Sequence, residues 1–197
     1  MSENKYQVIY ADPPWWYNNR RWSGAPNRTR FGGGAPARYP LMKTEAICAL
    51  PIADLADDNA VLFLWATWPR LPEAFKVIAA WGFEYKTLGF DWIKLNQESL
   101  TPRFGTGFYA KSNSEPCLLA TRGETIKPAR DDISSVVMSP IGEHSRKPDT
   151  VRHRIELMYP EAARVELFAR PIDSLFKPFA GWDVWGNQIE SNAEIAV

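Results

Sequence analysis

Hydrophobic positions in this chain fall into short runs, separated by polar stretches rich in glycine and proline. Residues 5–11, Lys-Tyr-Gln-Val-Ile-Tyr-Ala, predict a buried strand. It must stop at Asp12-Pro13-Pro14, because proline has no N–H to donate to a ladder. Residues 61–65, Val-Leu-Phe-Leu-Trp, are continuously apolar, as in a strand covered on both faces. Residues 84–94, 116–121 and 165–169 read as further strands. Between them the period changes. Residues 44–50 suggest a short helix, and Leu71, Phe75 and Ile78 recur at helical spacing, with Pro72 near the start and Gly82 placed as a C-terminal stop. Asp149 can cap a helix reaching about residue 159, with Val151, Ile155 and Met158 on one face and Pro160 beyond its end.

Helices alternating with apolar strands predict an α/β fold with a mostly parallel, doubly wound sheet. No repeat, low-complexity tract or linker divides the 197 residues, so a single domain over 1–197 is expected, with residues 189–197 as a tail. Two polar loops stand out, at about 16–40 (with Gly32-Gly33-Gly34 at its middle) and 101–114. A loop as long as the first is ordinarily functional or disordered. Ligands of open α/β sheets bind beyond the carboxyl ends of strands, where both Asp12 and Arg170 are expected.

Composition narrows the class. Hydrophobic residues make up 45% of the chain, which excludes general disorder, and no run approaches the length of a membrane span. The polar start, Met1 to Lys5, lacks a signal-peptide pattern. Cys48 and Cys117 have no C-x-x-C spacing and read as ordinary thiols, which fits a cytoplasmic location. Two histidines without clustered partners argue against a metal site. Net charge is zero, so any affinity for nucleic acid must come from local charge. Between Pro13 and Thr44 the chain carries Arg20, Arg21, Arg28, Arg30, Arg38 and Lys43 and no acid, interleaved with Trp15, Trp16, Tyr17, Trp22, Phe31 and Tyr39. Such a segment can neutralise phosphates and stack on bases, or it can be a solvated loop whose aromatics fold onto the core.

The chemistry centres on Asp12-Pro13-Pro14-Trp15. An exocyclic amine on a nucleobase is a poor nucleophile because its lone pair is delocalised into the ring. To attack a methyl sulfonium it must become tetrahedral while positive charge builds on nitrogen. A carboxylate and a backbone carbonyl accepting its N–H bonds favour that state. Asp12 can supply the carboxylate, Pro13 the carbonyl, and Trp15 a stacking face, with Pro14 stiffening the turn. A base within a duplex would have to be flipped out first.

Val8 to Trp15, residues 60–65, residues 105–120 with Gly107 and Glu115-Pro116-Cys117, His144 to Asp149, and Glu166 to Arg170 followed by Trp185-Gly186-Asn187-Gln188 occur in an order that resembles the MT-A70 family of N6-adenine methyltransferases. The likeness spans residues 8–188. It implies a Rossmann-like methyltransferase fold with the catalytic motif ahead of the cofactor strand, and S-adenosylmethionine as methyl donor. By motif position, it implies that Lys147 pairs with the donor's carboxylate and that Arg170 and Asn187 hold the ribose with Gln188 nearby. Ile172 and Asp173 would occupy the turn after the cofactor strand, and Asp12 would face both the donor's amino group and the target amine. The segment containing Arg20, Arg21, Trp22, Arg28, Arg30 and Tyr39 would bind nucleic acid. The glycine-rich Gly-x-Gly-x-x-Gly loop is absent, with Phe168-Ala169-Arg170 in its place.

The expected function is therefore adenine-N6 methylation in DNA by a small bacterial or phage-type enzyme, active as a monomer or homodimer. RNA is the nearest alternative substrate. Cytosine-N4 methylation is chemically close, but those enzymes more often carry Ser-Pro-Pro-Trp. A non-catalytic nucleic-acid-binding subunit is the alternative from another class.

Overall fold

Local hydrophobic period and its interruptions build the elements in the order β1 (Tyr6–Ala11), α1 (Thr44–Cys48), α2 (Ile52–Leu55), β2 (Ala56–Trp65), α3 (Leu71–Ala80), β3 (Glu84–Leu95), β4 (Ser114–Arg122), β5 (Val136–Pro140), α4 (Asp149–Met158), β6 (Arg164–Leu167) and β7 (Asp183–Trp185). The structure, a computed structural model, describes residues 5–16, 40–105, 109–142, 146–171 and 180–195.

The strands form one sheet in the order β5-β3-β4-β2-β1-β6-β7. Strand β1 pairs in parallel with β2 and β6, β7 pairs in parallel with β6, and β5 with β3. Among these strands only β4 runs against its neighbours, β2 and β3. The expected mostly parallel, doubly wound α/β sheet is therefore observed. Alternate residues divide the core between its faces. Ile9, Ala11, Leu62, Leu64, Val165 and Leu167 pack with Ile47 of α1, Ile52 of α2 and Val77 and Ile78 of α3. Val8, Tyr10, Val61, Phe63 and Trp65 pack on the other side with Val151 and Ile155 of α4. Each large aliphatic side chain buried this way contributes roughly 1.5–3 kcal/mol.

Helix α3 stops where the sequence places Gly82. That glycine has φ +79°, donates to Ala79 O at 3.1 Å, and lets Phe83 N–H reach Ile78 O at 3.0 Å. This is a Schellman closure, favoured when a residue without Cβ takes the left-handed conformation.

Several expectations need correction. Phe75 shares its helical spacing with Leu71 and Ile78, but it is 41% exposed and packs edge-on against Tyr85, while Ala74 and Val77 fill the core. Asp149 is the first helical residue, not the cap. Pro148 holds the cap position, and the Asp149 carboxylate accepts from Arg146 and Arg152 at 2.5 and 3.1 Å. Strand β6 ends at Leu167 and not at residue 169, because Phe168 turns to φ +60°. Strand β2 begins earlier than its apolar run, and α2, β5 and β7 have no pattern long enough to read. Among the described residues, no helix is long and apolar enough to cross a membrane.

Candidate active site

Parallel pairing of β2, β1 and β6 brings the ends of these strands to one rim. At the end of β1 the prolines terminate the ladder and the backbone turns on short local bonds. Trp15 N–H donates to Pro13 O at 2.8 Å, Met42 N–H to Pro14 O at 2.8 Å, and Trp16 N–H to Met42 O at 3.0 Å. Each proline carbonyl keeps a second lone pair. The stacking face expected of Trp15 is not on offer, because that ring is only 5% exposed and donates its indole N–H to Trp65 O at 3.1 Å. Satisfying a buried indole N–H fixes the ring inward, and the exposed neighbour is Trp16, at 43%.

Asp12 accepts from Lys147 Nζ at 2.7 Å through Oδ1, while Arg170 approaches Oδ2 at 3.9 Å. Lys147 also lies 3.5 Å from Glu115, whose other oxygen is held by Lys94. The result is an alternating row of charge, Lys94–Glu115–Lys147–Asp12–Arg170, along the rim. Burial disfavours the charged form of Lys147, but the carboxylates of Asp12 and Glu115 outweigh it and push the ammonium pKa up. Burial would likewise raise the Glu115 carboxyl, yet Lys147 and Lys94 hold it below its ordinary value.

Lys147 is placed by packing and by a second ion pair. Its ammonium lies over the Trp65 ring, 5.4 Å from the centroid, and the Trp65 N–H is donated to the Tyr10 hydroxyl at 2.8 Å. Helix α4, which starts just after Lys147, is clamped to β6 by Arg152, at 2.6 Å from Glu166.

Next to Asp12 opens a cleft of about 260 Å³, lined by Pro14, Pro40, Met42, Phe168 and Trp185, with Arg170, Asn187 and Gln188 at its polar side. This lies near the lower end of small-ligand sites. Gly186 permits the close approach of β7 to the turn after β6, since a Cβ there would lie 2.3 Å from Ala169 O. Ala169 N–H closes the same junction on Trp185 O at 2.9 Å. An apolar trough beside carboxylate, guanidinium and amide groups suits a ligand with a flat ring at one end and charged groups at the other.

A family model described as MT-A70 matches residues 6–188. The chain belongs to the MT-A70 family. It is 32% identical to the type II methyltransferase M.MunI of a Mycoplasma species, over 98% of this chain and 81% of that protein. It is also 28% identical to the N(6)-adenosine-methyltransferase MT-A70-like protein of Drosophila melanogaster, over 94% of the chain, and 27% identical to the human N(6)-adenosine-methyltransferase catalytic subunit METTL3, again over 94%. It spans only 27% and 28% of the lengths of those two relatives. As a member of MT-A70 the chain is a methyltransferase, and the family implies a methyl donor of the S-adenosylmethionine type.

The structure thus gathers Asp12, Lys147, Arg170, Asn187 and Gln188 at one rim. The candidates Ile172, Asp173, Arg20, Arg21, Trp22, Arg28, Arg30 and Tyr39, together with Gly107 and His144, lie outside the described residues. Trp182 is buried with its N–H on Glu156 at 2.8 Å, whereas Trp185 walls the cleft. Sequence reasoning gives no role to Glu115, Lys94, Met42 or Phe168. A signal exists for the first two: each stands near a strand end that the sheet brings to this rim.

Proposed function

We propose that this chain transfers a methyl group from S-adenosylmethionine to the exocyclic N6 amine of adenine in DNA. The observation that carries the reading is the position of Asp12, whose carboxylate stands at the end of β1 between the cleft and Lys147. The donor, when bound, supplies an electrophilic methyl sulfonium. Lys147 and Arg170 hold anionic and hydroxyl groups of that donor, Asn187 and Gln188 hold its ribose, and Phe168 and Trp185 wall the cleft. Asp12 accepts one N–H of the adenine amine, and Pro13 or Pro14 offers a carbonyl lone pair to the other. These contacts strengthen as the nitrogen becomes tetrahedral and positive, so they favour the transition state over the ground state. The basic, aromatic segment at about 16–40 and the loop at about 101–114 bind the nucleic acid, in one domain covering the whole chain.

DNA is preferred to RNA on the likeness to M.MunI, which extends over most of both chains. RNA remains the second reading, because the Drosophila and human relatives carry the name of adenosine methyltransferases. Incubation with labelled S-adenosylmethionine and, separately, unmethylated duplex DNA, single-stranded DNA and RNA, followed by nucleoside mass spectrometry, tests both. N6-methyladenine from DNA supports the proposal, N6-methyladenosine from RNA alone moves the substrate, and N4-methylcytosine overturns the target base.

A further inference from the structure

Glu115 takes no part in the chemistry above, yet it is paired with two cations on the rim. Its side chain is 16% exposed and lies between Lys94 and Lys147. Strand register creates this position. Trp92 of β3 lies opposite Glu115 of β4, so Lys94, two residues on, reaches diagonally to the same carboxylate on the same face. Lys94 lies over the Trp92 ring as Lys147 lies over Trp65, and the two indoles pack edge to face at 6.4 Å. Both lysines therefore rest on a rigid aromatic floor, with one carboxylate between them.

We infer that Glu115 is a positioning residue: it offsets the Lys147 charge so that a cationic methyl donor can sit beside Asp12 without repulsion. The inference rests on the S-adenosylmethionine reading above. Of the five groups in the row, Lys94, Lys147 and Arg170 are positive and Asp12 and Glu115 negative. With Asp12 as its only carboxylate partner within the chain, Lys147 would more fully neutralise the carboxylate that must face a sulfonium and, later, a developing positive charge on nitrogen. Sharing Lys147 with Glu115 leaves the Asp12 charge effective. The ammonium stays 2.7 Å from Asp12 and can shift toward Glu115, 3.5 Å away, when the target amine claims the Asp12 oxygen.

The donor and its product differ in the charge that matters here: S-adenosylmethionine carries a sulfonium, S-adenosylhomocysteine a neutral thioether. Calorimetric Kd values for the two ligands, on wild-type protein and on Glu115→Gln, Glu115→Asp and Lys94→Met, separate charge from shape. Glu115→Gln should weaken the sulfonium relative to the thioether by about tenfold, the scale of one unit charge acting across roughly 10 Å at an effective dielectric near 20. Glu115→Asp keeps the charge and should keep the wild-type ratio. Lys94→Met removes a cation and should move the ratio the other way, by a smaller factor. A structural role alone would weaken both ligands equally, so an unmoved ratio in folded Glu115→Gln overturns the inference. If Glu115→Gln does not fold, a Lys94→Met ratio that stays put or moves against the sulfonium overturns it instead. Wild-type protein that binds neither ligand defeats the donor assignment, and this inference with it.

Discussion

Replacing Asp12 with Asn removes one negative charge while keeping the shape and an acceptor oxygen. Two consequences differ in size. In catalysis, the missing carboxylate is the group held against nitrogen as its positive charge develops. Removing one preorganised electrostatic contact of this kind costs about 100- to 1000-fold in kcat. In stability, Lys147 loses its 2.7 Å partner but keeps Glu115 at 3.5 Å. Breaking a fully buried pair costs about 3–5 kcal/mol. Here the side chains of Lys147 and Asp12 are 12% and 22% exposed and a second carboxylate remains, so about 1–2 kcal/mol is expected. For a domain of this size that lowers Tm by about 3–6 °C. The variant should therefore be folded and almost inactive. Single-turnover transfer of labelled methyl to duplex DNA, with scanning calorimetry on the same sample, reads both quantities. Turnover within about threefold of wild type would refute the assigned role, since a group acting only in the transition state must lower kcat when removed. Asp12→Ala, which removes the acceptor as well, should be inactive while still folded.

Tyr10→Phe removes the acceptor of the buried Trp65 N–H and should cost about 1–3 kcal/mol in urea denaturation; an unchanged midpoint would mean that this bond contributes nothing. Gly82→Ala should destabilise by about 1–2 kcal/mol from backbone conformation alone, because the nearest atom to the added Cβ is 3.9 Å away. The rim ion row should also show in the pH dependence of Tm. Glu115 is depressed in the folded state, so its contribution is present above the ordinary value of 4.5 and is lost as pH falls below it. Lys147 is raised, so its contribution is full below 10.5 and is lost as pH climbs past it. Glu115→Gln should flatten the acid limb, and an identical limb in the variant would count against this. Neutralising Arg20, Arg21, Arg28 and Arg30 together should reduce the salt dependence of DNA binding, by up to about 0.9 in slope for each phosphate no longer neutralised. An unaltered slope would move the binding surface toward Lys111, Arg122, Lys127 and Arg130.

What can be read along the chain is what depends on neighbours along the chain. The apolar run at 61–65 needs two covered faces wherever it lies, and the prolines after Asp12 end β1 whatever it pairs with. Gly82 stops α3 because the closure is made by residues within five positions of one another. Asp12 can be singled out for the same reason: a carboxylate before two prolines at the end of a buried strand is a local arrangement. Arg170 is marked by its place just beyond a strand end, but Lys147 and Asn187 are marked only by family likeness, since nothing local makes a lysine on a turn catalytic. Their convergence on Asp12 depends on strand order, which carries Lys147 across 135 residues to within 2.7 Å. Only tertiary structure could turn Trp15 inward and leave Trp16 outside, because that choice rests on pairing with Met42 and on an indole bond to Trp65. Only register could set Lys94 and Lys147 on either side of Glu115. Strands β5 and β7, five and three residues long, owe their existence to the edges they pair with, since so short a run has no period to read.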